Sequence, residues 1–138
     1  MQGFGRQAVE NQSDRKYTIV FEDYPTYLYA LVHGESYGYE VLTGFLKEIA
    51  DEAAARGFNQ VLIEENISSG ATKEDAFRVA SELPELGFAG VRMAYVDRFL
   101  DQEEVNEFGR DVAVHNGIDV RLFGDQASAD RWLTSDRP

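Results

Sequence analysis

The chain contains no cysteine. That absence removes disulfide scaffolds, thiolate metal sites, iron–sulfur ligation and cysteine nucleophiles in one step, and it fits a reducing compartment such as the cytoplasm. Histidine is scarce as well: His33 and His115 are the only two, too little material for a histidine-built metal site or proton relay, so no metal is expected. Basic residues number 13 against 25 acidic ones, a formal net charge of -12. Such a charge repels phosphate backbones and anionic head groups, so nucleic acid is not expected as a partner. It keeps the surface soluble and leaves open attraction to a basic protein. Long apolar runs are also missing. The longest, residues 27–32, falls far short of the roughly 20 residues that cross a bilayer. The opening residues show no apolar core followed by a small-residue cleavage site, so no secretory signal is expected. No Gly-x-Gly-x-x-Gly follows a strand, and neither a Gly-Lys-Ser/Thr phosphate loop nor a Gly-x-Ser-x-Gly elbow occurs. Dinucleotide, nucleoside-triphosphate and hydrolase readings lose their main support, and no cofactor is expected.

What is present suffices for one core. With 138 residues, 43% of them apolar and 12% aromatic, the chain can fold without a metal or disulfide staple. Residues 1–15 are polar and aperiodic and read as an N-terminal arm; residues 16–135 read as a single domain. Tyr17 to Glu22 and residues 27–33 are rich in branched and aromatic side chains and flank Asp23-Tyr24-Pro25-Thr26, which predicts an antiparallel hairpin. The second run is apolar at nearly every position, the pattern of a strand covered on both faces. From Tyr39 to Arg56, Val41, Leu42, Phe45, Leu46, Ile49 and Ala53 recur at helical spacing and Gly57 follows, predicting the first helix. Val61-Leu62-Ile63 reads as a short strand. Thr72 with Asp75 opens a second helix whose inner stripe is Ala76, Phe77, Ala80 and Leu83. Residues 91–96 make the next strand; Asp101 with Glu104 opens a third helix burying Val105, Phe108 and Val112, with Asn116-Gly117 at its end. Val120 to Phe123 is the last strand, and Asp125 caps a final helix carrying Ala129, Trp132 and Leu133.

The expected architecture is therefore α/β: a mixed five-stranded sheet, an N-terminal hairpin followed by alternating helix and strand, and four helices. If the helices lie mainly on one face, the two-sided apolarity of the second strand asks for cover on the other, most simply from a second copy of the chain. A homodimer is expected on that ground.

At Met93-Ala94-Tyr95-Val96-Asp97-Arg98, and again at Val120-Arg121-Leu122-Phe123 followed by Ala129-Asp130-Arg131-Trp132-Leu133, the chain resembles the SpoIIAA-like branch of STAS domains. The likeness covers most of the chain after Lys16, and the closing strand-to-helix segment is its more specific part. The resemblance implies a small β-α fold and binding or regulation rather than catalysis. In the anti-sigma-factor antagonists of the wider family, an aspartate precedes Ser-Ser-Gly and the first serine is phosphorylated. Here Ser68-Ser69-Gly70 occupies a comparable loop, with Ile67 in the aspartate's place and polar residues 72–75 where the helix start is apolar. By that resemblance Ser68 is the candidate phosphorylation site.

Ligands of parallel α/β sheets gather beyond the carboxyl ends of the strands. That edge is expected to collect His33, Glu64, Glu65, Asn66, Ser68, Ser69, Gly70, Thr72, Asp97 and Arg98. Ser68, Ser69 and Thr72 could hold a phosphoryl group against helix N–H donors, yet an ordinary capping loop needs the same residues, and four nearby acids oppose a phosphate. Glu64 and Glu65 are neighbours on an extended segment, so they face opposite ways and cannot act as a catalytic carboxylate pair; a solvated or Arg98-paired role is expected instead. Asp97-Arg98 reads as an ion pair fixing its loop or, less simply, as a ligand clamp. His115 in the last turn of its helix is explained by the helix dipole. Tyr24, Tyr27, Tyr29, Tyr37, Tyr39 and Phe45 are expected around the hairpin and first helix, as core, as a dimer face, or as the walls of a pocket for a small apolar ligand. Three functions follow in order: a non-enzymatic STAS-like regulatory or protein-interaction domain; a small-molecule or lipid carrier with a pocket between hairpin, first helix and strand ends; and an enzyme using His33 with Asp97 or Glu64.

Overall fold

Branched and aromatic residues place Tyr17–Asp23 (β1) and Leu28–Gly34 (β2) in antiparallel register, Ile19 opposite Val32. Between them the Tyr24 N–H donates to the Tyr27 carbonyl at 2.9 Å, closing the turn through Pro25. The computed structural model describes residues 16–35, 38–67, 71–99 and 102–135. The N-terminal arm, Ser68, Ser69, Gly70, Tyr37 and the capping residue Asp101 lie outside the described residues.

After the hairpin come Tyr39–Arg56 (α1), Gln60–Ile67 (β3), Lys73–Leu83 (α2), Arg92–Asp97 (β4), Glu103–His115 (α3), Asp119–Phe123 (β5) and Gln126–Thr134 (α4). The order in the sheet is β1-β2-β3-β4-β5, with β2 through β5 parallel. Three crossovers that advance in one direction with one hand must leave their helices on one face. Accordingly α1 and α2 bury Phe45, Ile49, Ala80 and Leu83 against Ile19, Ala30, Ile63 and Met93, with Ala113 of α3 beside them.

α4 returns on the opposite face. Asp125 caps it, its Oδ1 accepting from the Ser128 N–H at 2.8 Å, and Ala129, Trp132 and Leu133 pack on Leu62, Ala94, Val96, Tyr27 and Tyr29. Trp132 lies under the Arg92 guanidinium, 4.0 Å from its ring centroid, and 5.6 Å from Phe123. The cover expected from a second copy over these residues is thus supplied by the chain's own last helix.

Three local expectations are corrected. β3 runs from Gln60 to Ile67 rather than ending at Ile63, because pairing with β2 and β4 on both sides outweighs the weak strand preference of Glu64, Glu65 and Asn66. In α2 the inward residue is Val79, while Phe77 is 52% exposed, one helical position beyond the buried stripe. In α3 only Ala113 is buried; Val105, Phe108 and Val112 are half-covered, since α3 ends the helix layer and lies over a cavity.

Candidate functional site

Alternation along β3 separates two chemistries. Val61, Ile63, Glu65 and Ile67 face α1–α3, whereas Leu62 and Glu64 face the side of α4. Glu64 and Glu65 therefore stand on opposite faces, as their spacing predicts.

On the α4 side, the Tyr29 hydroxyl donates to Glu64 Oε1 at 2.6 Å and Arg98 Nε donates to Glu64 Oε2 at 2.8 Å. Burial, then the hydrogen bond to Glu64, pushes the Tyr29 hydroxyl above its ordinary pKa of 10.0. The same carboxylate raises the Arg98 guanidinium further above its usual value. In the next row outward, His33 and Asn66 are register partners and Nδ1 of His33 lies 3.2 Å from Nδ2 of Asn66. His33, Glu64 and Arg98 thus share the α4-side face of the sheet.

Asp97 does not join them. It faces α3, where its Oδ1 accepts from the Phe99 N–H at 2.9 Å and its Oδ2 from Asn106 Nδ2 at 2.8 Å. The expected Asp97–Arg98 pair is corrected accordingly: consecutive residues at a strand end point to opposite faces and take separate partners. For the same reason His33 and Asp97 cannot meet as a proton-transfer pair.

Thr72 is the N-cap of α2, its Oγ1 accepting from the Asp75 N–H at 3.0 Å. That is the capping half of the expected role, and Ser68, Ser69 and Gly70 fall outside the described residues.

The aromatic side chains do not enclose a common space. Tyr24, Tyr27 and Tyr29 group on the α4 side, while Tyr39 and Phe45 pack on the other, so the sheet separates the two groups. A cavity does occur elsewhere. Beneath α2 and α3, against β3–β5, a space of about 100 Å³ is walled by Leu83, Met93, Ala113 and Val120. Its acid is Glu65, which is 0% exposed. The register partner of Glu65 on β4 is Asp97, on the same face. A second cavity of about 260 Å³ lies beside it, lined by Asp97, Phe99, Glu103 and Glu107. Tyr95, Asn106, Arg110 and Leu122 line both, so the two spaces share a wall. Arg110 donates from Nε to Asp111 Oδ1 at 2.7 Å.

Tyr95, Asn106 and Arg110 were not singled out by sequence reasoning. Their signal is the helical spacing of Asn106, Arg110 and Ala113, which sets polar groups on the inward stripe of α3. No family model matches the chain, and no curated protein matches it.

Proposed function

We propose that the protein is a non-enzymatic binding domain of the STAS-like, SpoIIAA-like kind that works through a small ligand held in the helix-side cavity. One observation carries the reading: a fully buried acid, Glu65, stands in the wall of a largely apolar space between α2, α3 and strands β3–β5. The mixed sheet, the element order and the seating of Trp132 after β5 support the STAS-like part of the proposal. The separation of His33 from Asp97 by the sheet supports binding over catalysis. Loading the cavity would brace α2 and α3 against the strands, and those helices are the surface through which a protein partner would read the ligand. Self-association along edge strand β1, where Val20 is 51% exposed, and a cytoplasmic setting belong to the same proposal. Among the described residues no helix is long and apolar enough to cross a membrane.

The test is a native mass spectrum of the protein purified from its own cells, alongside an Ala76→Leu variant that occupies the cavity. A defined extra mass on the wild type that the variant lacks is the expected result. A bare wild-type mass removes the ligand and leaves the protein-contact reading, and an increment of one phosphate makes Ser68 the place to look.

A further inference from the structure

The two adjoining cavities are unequal in charge. Among the described residues their walls carry four acids, Glu65, Asp97, Glu103 and Glu107, and one cation, Arg110, which already donates to Asp111. Two of the four are set side by side. Glu65 and Asp97 are register partners on adjacent parallel strands, whose spacing is about 4.8 Å, and both face α3. A carboxylate has room for several donors, so an ammonium group with three N–H bonds can bridge such a pair while each acid keeps other contacts. Removing such a group from water is tolerable only where fixed negative charge receives it. The chain as a whole, at -12, raises the local concentration of cations around the mouth.

Size narrows the class. An apolar cavity of about 150 Å³ holds one benzene ring. The space of about 100 Å³, two thirds of that, therefore accepts about four carbons, and the remaining carbon and head group of a pentyl chain extend past Tyr95 and Leu122.

We infer that the ligand is an aliphatic primary amine, its hydrocarbon part lying among Leu83, Met93 and Val120 and its ammonium group between Glu65 and Asp97. This rests on the cavity proposed above as the functional site. The alkyl body gains from leaving water, and the charge supplies selectivity against alcohols and acids of the same shape.

The experiment compares n-pentylamine, n-pentanol and n-pentanoate by isothermal titration and by thermal shift near neutral pH, where the amine is protonated as lysine is. Binding of the amine at least about tenfold tighter than the alcohol, with no binding of the pentanoate, is the expected pattern. In Glu65→Gln the amine should fall to the affinity of the alcohol while the alcohol still binds, which shows the pocket intact. Should Glu65→Gln not fold, Asp97→Asn, able to keep its bond from Phe99, carries the same comparison. Equal binding of amine and alcohol overturns the amine inference and leaves the cavity as a site for apolar ligands. Tightest binding of pentanoate overturns it in favour of Arg110. Failure of all three to bind removes both this inference and the cavity reading beneath it.

Discussion

The Tyr27 hydroxyl donates to Asp130 Oδ1 at 2.6 Å, joining the entrance of β2 to the middle of α4 across 103 positions of chain. Tyr24 stacks on Tyr27 at 4.8 Å and its own hydroxyl accepts from Gln126 Nε2 at 3.3 Å, so two tyrosines of the hairpin turn hold both ends of the first half of α4. Bonds to charged acceptors contribute about 1.5–3 kcal/mol. Tyr27→Phe should lower stability by about that amount, read as a shift of the urea midpoint at unchanged slope. Backbone amides of α4 should then exchange faster than those of α1; uniform acceleration over both helices would mean that the bond does not fasten α4 in particular.

The same hydroxyls give stability a dependence on alkaline pH. Folding raises Tyr27 and Tyr29 above their ordinary 10.0, chiefly through burial and then through the carboxylates they face. A group whose pKa is raised contributes stability that is complete below its unfolded value and is lost as pH rises from there toward the folded one. Urea midpoints should therefore decline above about pH 10, where the unfolded tyrosines begin to ionise. Tyr29→Phe should start lower and decline less steeply. An equal slope in both proteins would remove Tyr29 from the account.

How much of this was legible beforehand differs between local and non-local features. The limits of α1 with Gly57 behind it, the Thr72 and Asp125 caps and the inward set Ala129, Trp132 and Leu133 all follow from residues a few positions apart. So does the division of Glu64 from Glu65. Strand register does not follow from such patterns. Glu65 and Asp97 become neighbours only because β3 pairs with β4 in one of several possible alignments, and the face chosen by α4 depends on what α1–α3 have already covered. Phe77 was misplaced for a related reason: adjacent helical positions differ by about 100°, so composition alone cannot say which edge of an apolar stripe meets the sheet.

Arg98 and Glu64 form an ion pair that is half in water, with the arginine side chain 44% exposed and the glutamate side chain 10%. Exposed pairs contribute less than about 1 kcal/mol, and breaking a buried one costs about 3–5 kcal/mol. Arg98→Ala should cost about 1–2 kcal/mol, between those limits. In a double-mutant cycle with Glu64→Gln the two losses should be clearly less than additive; full additivity would show that the pair is geometric only.

Gly87 sits at φ +117° in the wide turn Pro84–Phe88 that leads out of α2, and a Cβ added there would lie 2.9 Å from Cβ of Ala50 on α1. Gly87→Ala should destabilise by about 1–3 kcal/mol through backbone strain and overpacking together. Adding Ala50→Gly should restore only part, because it clears the contact and leaves the strained backbone. Complete rescue, measured by chemical denaturation, would show that the backbone conformation carries no cost.

Among the described residues α4 is the last element and the only helix on its side of the sheet. During synthesis β1 to β5 and the first helix layer can form before α4 exists, since domains assemble from the amino end as they emerge. Until α4 is made, Leu62, Ala94 and Val96 are sheltered by the hairpin tyrosines, Leu31 and Phe123 without the cover of Ala129, Trp132 and Leu133. A chain interrupted before Gln126 would keep its strand order yet present an adhesive surface to every other unfinished copy. Docking of α4 is therefore the step that covers this apolar face of the sheet.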